Sequence, residues 1–158
     1  MPSRSPALPY AAVVVLALLF GVADAVRRYL PLWLSNHGLT PPELSAVLLG
    51  MSVVNALFVP VGAVAVGYAF ADGLDVATRL GVTVAATFLF AAVGYLVGFG
   101  VVLGLLPANA TGTASLLRNL LVAVVVGFTN GLAVVVAVVA GAAVRRLRRR
   151  PPAPGSAG

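Results

Sequence analysis

Three stretches of this chain, residues 44–70, 80–106 and 119–144, contain no Asp, Glu, Lys, Arg or His. Each is longer than the about 20 residues that a helix needs to cross a hydrocarbon layer about 30 Å thick. A fourth apolar stretch begins near Leu8 and meets its first charge at Asp24. In a bilayer every backbone N–H and C=O must be satisfied within the protein, which leaves helices or a closed barrel. These runs do not alternate polar and apolar residues, and they are about twice the length of a barrel strand. The expected class is therefore all-α: a polytopic integral membrane protein, a four-transmembrane-helix bundle. Composition agrees, with 61% hydrophobic residues, 9% charged and a mean hydropathy of +1.08, against about half and about a quarter in ordinary globular chains.

Local signals set the boundaries. Thr40-Pro41-Pro42-Glu43 offers a capping threonine, prolines suited to a first helical turn and a glutamate able to close a capping box. Ala71-Asp72-Gly73 breaks the second segment and Pro107 stops the third. The reading is one transmembrane domain over residues 1–148, with helices at about 8–30, 41–71, 76–106 and 115–147, and a disordered tail over 149–158 rich in Pro, Gly and Ala. Helices of this length are expected to tilt, kink or project. Pro60 removes the donor for the Ala56 carbonyl and is the expected kink in the second helix.

Arginine sets the expected threading. All ten basic residues are Arg, and five of them, Arg145, Arg146, Arg148, Arg149 and Arg150, form a cluster at the end of the fourth segment. Placing that cluster in the cytoplasm also puts Arg4 and Arg79 there and leaves Arg27, Arg28 and Arg118 outside, so both termini of this cell-membrane, multi-pass chain are expected to be cytoplasmic. Tyr10, Tyr29, Trp33 and Tyr68 fall near helix ends, where interfacial aromatics belong. A rival reading treats residues 1–25 as a cleaved signal peptide ending in Ala23-Asp24-Ala25, which leaves the threading of the rest unchanged. Asn109-Ala110-Thr111 matches a glycosylation triplet.

Chemistry-bearing motifs are sparse. There is no cysteine, one histidine and four acids, and the chain has no phosphate-binding glycine loop, no HExxH and no GxSxG. Glu43, Asp72, Asp75 and His37 read as cap or loop residues. No catalytic residue, metal ligand or cofactor is therefore expected. The arginine cluster lacks a folded basic module or interleaved aromatics, so nucleic acid is not an expected partner; it serves as an orientation signal and offers a patch for anionic lipid.

What remains is polarity inside the apolar runs. Asn55 and Asn130 fall at similar depth in two helices running the same way, within about 5 Å of each other along the bilayer normal. Unpaired amides are costly in hydrocarbon, so both are expected to turn inward and meet, joined by Ser52 and Thr129. Asp24 has Arg27 and Arg28 three and four residues on, which makes an intrahelical pair available. These residues, Asn55, Asn130, Asp24, Ser52 and Thr129, are the candidate intramembrane polar site. Gly94/Gly98, Gly100/Gly104 and Gly127/Gly131 form three GxxxG pairs, while Ala17-Gly21-Ala25 and Ala133-Ala137-Gly141 repeat small residues every fourth position. Such faces suit a compact bundle, a homo-oligomer or a partner membrane protein. The expected function is a structural, accessory or regulatory membrane component without catalysis; the alternative is a small channel or transporter with its polar site between helices two and four.

Overall fold

The computed structural model describes residues 7–35, 37–74, 76–105 and 116–149. They form four helices, α1 (Ala7–Ser35), α2 (Pro41–Ala69), α3 (Val76–Leu105) and α4 (Leu116–Arg148), with no strand among the described residues. All four are long and apolar enough to cross a membrane. Asp75, the Asn109 triplet, Arg150 and the tail from Pro151 lie outside the described residues.

The start of α2 stands where its Thr-Pro-Pro-Glu run places it. The Thr40 N–H and hydroxyl both donate to the Glu43 carboxylate, at 2.9 and 2.7 Å, and the Leu44 N–H bonds the Thr40 carbonyl. The first helix runs further than its sequence suggests, past Leu30 and through Pro31 to Ser35. Proline removes one helical hydrogen bond there. The last turn is held instead by side chains: the Ser35 hydroxyl donates to the Leu32 carbonyl at 3.0 Å, and His37 stacks on Trp33 with its Nδ1 2.7 Å from the Trp33 carbonyl. α2 continues as a single helix through Pro60. α3 departs from helical geometry at Arg79 (φ −113°, ψ 16°).

Around the bundle the order is α1, α3, α4, α2. The closest pair is α1 on α3, which run parallel. α1 turns Val13, Ala17, Gly21, Ala25 and Tyr29, spaced by four, into the interior. At Gly21 a side chain would collide with the Ala91 carbonyl, at Gly94 with the Leu18 carbonyl, and at Gly98 a Cβ would stand 2.9 Å from the Val22 carbonyl. The backbones therefore touch directly. α4 lies antiparallel on α3 through Gly127 and Gly131, both facing Phe88, and parallel on α2, where Gly67 meets the Val138 carbonyl and Gly141 the Val64 carbonyl. Gly100 and Gly104 face open space. Apolar side chains fill two clusters, one around Tyr29, Tyr95, Phe99 and Val126, the other around Val13, Ala63, Leu74, Val134 and Val138.

The second cluster lies at the end of the bundle that holds the start of α1, the turn between α2 and α3, and the end of α4; it is called the arginine end below. Here α2 ends on an open row of carbonyls, and the basic last turn of α4 binds them. Arg145 donates to the carbonyls of Tyr68 and Ala69 at 2.8 and 2.6 Å and to Asp72 at 2.7 Å. Arg149 takes both Asp72 oxygens at 2.9 and 3.0 Å, and Arg146 reaches the Leu74 carbonyl at 3.4 Å. Among the described residues, Arg145, Arg146 and Arg149 of the cluster thus clamp the α2–α3 turn onto α4.

Valine at Gly21 or Gly94 is expected to cost about 3 kcal/mol or more, because backbone rather than a flexible side chain must move. Valine at Gly100 is expected to change stability by less than about 0.5 kcal/mol. Denaturant unfolding in micelles compares them, and equal losses at all three positions would contradict the α1–α3 contact. At the clamp, Arg145→Ala is expected to cost about 1–3 kcal/mol through the freed helix-end carbonyls, and Asp72→Asn less than about 1 kcal/mol because that pair is solvated; a larger loss for Asp72→Asn would reverse this ranking.

Candidate functional site

At the opposite end, where α1 and α3 finish and α2 and α4 begin, called the loop end, α1 and α2 part. The gap is a lateral groove of about 480 Å³. Its walls are apolar, with Leu19, Phe20 and Ala23 on one side and Val47, Met51 and Val54 on the other. Arg27 stands at its rim and Asn55 at its deep end. Leu19 and Arg27 are eight residues apart on one helix, so the groove extends about 12 Å. Gly50 leaves its wall flat, with nothing within 4 Å of where a side chain would begin. The local cause is the distribution of small residues: the close α2–α4 contacts use Gly67 and the residues around it, and before Ala63 no described side chain of α2 is buried.

The sequence candidates divide around this groove. Asn55 is half-buried and lines it. Asn130 is half-buried on α4, and no hydrogen bond joins the two amides among the described residues. Helix geometry explains the separation. Twelve residues separate Asn55 from Gly67, the point of contact with α4, which rotates the amide about 120° away from α4. Thr129 is exposed and returns its hydroxyl to the Val125 carbonyl at 3.0 Å, and Ser52 is half-buried beside the groove residues Met51 and Val54. Pro60 is exposed. Asp24 is held at the rim by Arg27, 3.2 Å away, with the carboxylate side chain 13% exposed and the arginine 43%. The pair is intrahelical, so Asp24 and Arg27 form one locally neutral unit on α1.

A second polar feature was not legible as such. The Tyr29 hydroxyl donates to Asn119 Oδ1, joining α1 to α4 through the bundle interior. Asn119 is fully buried, and the Tyr29 ring packs on Phe99 with centroids 5.1 Å apart. Tyr95 lies in the same cluster, also fully buried, and its hydroxyl has no hydrogen-bond partner among the described residues. Sequence position marks Tyr29 as an interfacial aromatic, yet it falls four residues after Ala25 on the buried small-residue stripe, and that spacing carries the signal. Nothing in the sequence distinguishes Asn119 from a helix-end polar residue, or Tyr95 from any apolar neighbour.

Chemically, the Tyr29–Asn119 bond is a cross-link, whereas the Asn55 amide offers a donor and an acceptor to whatever enters the groove. No known family model, curated protein or solved structure matches the chain.

Tyr29→Phe and Asn119→Ala are each expected to lose about 1–3 kcal/mol of stability, with the double variant little worse than the poorer single one. Tyr95→Phe, which deletes an unsatisfied hydroxyl, is expected to be neutral or stabilising. Additive losses in the double-mutant cycle, or a Tyr95→Phe loss as large as that of Tyr29→Phe, would contradict this assignment.

Proposed function

We propose that the chain is an integral membrane protein crossing the bilayer four times, and that it acts without catalysis as an accessory component whose α1–α2 groove receives a transmembrane helix of a partner membrane protein. Membrane placement is supported by four apolar helices of spanning length. Threading with both termini in the cytoplasm is supported, among the described residues, by five arginines at the arginine end (Arg79, Arg145, Arg146, Arg148, Arg149) against three at the other (Arg27, Arg28, Arg118).

One observation carries the partner reading: Asn55 presents an amide into an otherwise apolar groove, on a helix half that packs loosely on its own bundle. Lipid tails offer that amide nothing, whereas a passing helix with a polar side chain at the same depth satisfies it. The flat wall at Gly50 allows such a helix to approach closely. The competing use of Asn55, lining a solute route in a small channel or transporter, needs water at the same position.

The absence of native cysteine makes the test direct. Asn55→Cys in native membranes, treated with a short thiol cross-linker, is expected to give one discrete adduct with another membrane protein. Val124→Cys, outward on α4, is expected to give none. Asn55→Ala is expected to weaken retention of that partner about threefold, the worth of one average interhelical hydrogen bond. Labelling of position 55 by a water-soluble thiol reagent, with solute flux in liposomes and no adduct, would overturn the reading in favour of transport. An adduct of twice the chain's own mass would assign the groove to a second copy and overturn a separate partner.

A further inference from the structure

A separate cavity opens at the arginine end, between the first turns of α1 and α3. Its volume is about 320 Å³. Its construction differs from the groove at the loop end. Arg79 lies at the mouth, its guanidinium carbon 5.7 Å from the centre of the Tyr10 ring, at the point where α3 leaves helical geometry. Inside, the walls are the apolar Val13, Val14, Val82 and Ala86. Thr83 and Thr87 complete one side, 7% and 0% exposed, and both spend their hydroxyl protons on the helix carbonyls of Arg79 and Thr83, at 2.9 Å each. They offer the cavity methyl groups and spare lone pairs, so α3 keeps its own polar atoms satisfied while lining an apolar space.

Charge selects the occupant. No acidic side chain among the described residues pairs with Arg79, whereas Asp72, the one described acid at this end, is held by Arg145 and Arg149. Among the described residues the cation has the Tyr10 aromatic face as its neighbour. Arg79 and Thr87 are eight residues apart, so the cavity runs about 12 Å from its charged mouth, close to the about 15 Å hydrocarbon depth of one leaflet. A cation at the interface above an apolar channel one leaflet deep matches an anionic headgroup above an acyl chain.

We propose that this cavity binds an anionic glycerophospholipid of the leaflet on the arginine side, its phosphate on Arg79 and one acyl chain along Val13, Val14, Val82 and Ala86. The inference rests on the membrane placement proposed above and is independent of any partner helix in the α1–α2 groove. A free phosphate ion shares the headgroup chemistry but leaves the apolar walls unfilled, so the lipid is the occupant.

The test is native mass spectrometry of the full chain released from micelles containing phosphatidylglycerol or phosphatidylcholine, with melting temperature read in parallel. The wild-type chain is expected to retain one phosphatidylglycerol and to melt higher in its presence. Arg79→Gln is expected to weaken that retention about fivefold, the effect of one arginine at an anionic surface. Arg148→Gln, an exposed arginine outside the cavity, is expected to leave it unchanged. Ala86→Phe, which fills the channel while keeping the cation, is expected to lose the lipid as well and stands in if Arg79→Gln does not fold. Retention unaffected by both cavity variants, or reduced equally by Arg148→Gln, would overturn the site as a mere response to surface charge. Displacement of the lipid by millimolar inorganic phosphate would overturn the lipid as the occupant.

Discussion

The whole arrangement depends on helix backbones coming into direct contact. Among apolar helices that share an apolar environment, burial supplies little preference for one pairing over another, and close packing decides instead. In this chain the decisive surfaces are small residues spaced by four. The Ala17-Gly21-Ala25 stripe of α1 lets α3 approach until Gly94 and Gly98 rest on the Leu18 and Val22 carbonyls. That approach brings the far end of α1 over α3, so Tyr29 lands on Phe99 and reaches Asn119 of α4. A single geometric fact, the absence of side chains along one stripe, thereby places the principal buried hydrogen bond between the first and last helices.

α2 is attached differently, and the difference creates the candidate site. Its tight contacts, at Gly67 and opposite Gly141, lie in its second half. The α2–α3 turn then locks to α4 through Arg145, Arg146 and Arg149. With one end fixed by small residues and arginines, the other half of α2 makes no close backbone contact, Gly50 included, and it stands apart from α1. The groove follows from where the close glycine contacts stop.

Polar groups in this bundle fall into three physical situations. Some are satisfied by their own helix, as the hydroxyls of Thr83, Thr87 and Thr129 are. Others are satisfied across the bundle, as Tyr29 and Asn119 are, or at its end, as Asp72 is. Among the described residues Asn55 and Arg79 belong to neither group; one sits in the α1–α2 groove and the other at the mouth of the α1–α3 cavity. An amide and a guanidinium left facing open, mainly apolar spaces are the reason that both spaces read as binding surfaces rather than packing defects.

The sequence by itself determined the four helices, because unbroken uncharged runs, a Thr-Pro-Pro-Glu start and the Asp-Gly break after Ala71 are local and leave little choice of backbone. It determined the arginine-rich end for the same reason, since charge is countable without a fold. It did not determine which faces meet. Along their uncharged runs α2, α3 and α4 are apolar on every face, so hydropathy marks no inner side, and Gly100/Gly104 looks the same in sequence as Gly94/Gly98 although only the latter is used in the bundle. Asn55 and Asn130 have matching depths, but depth is one coordinate, and the rotation set by Gly67 sends Asn55 to α1 instead. Only the tertiary structure decided these matters, because the choice among similar apolar faces rests on the shape of the surfaces brought together, which no single helix carries.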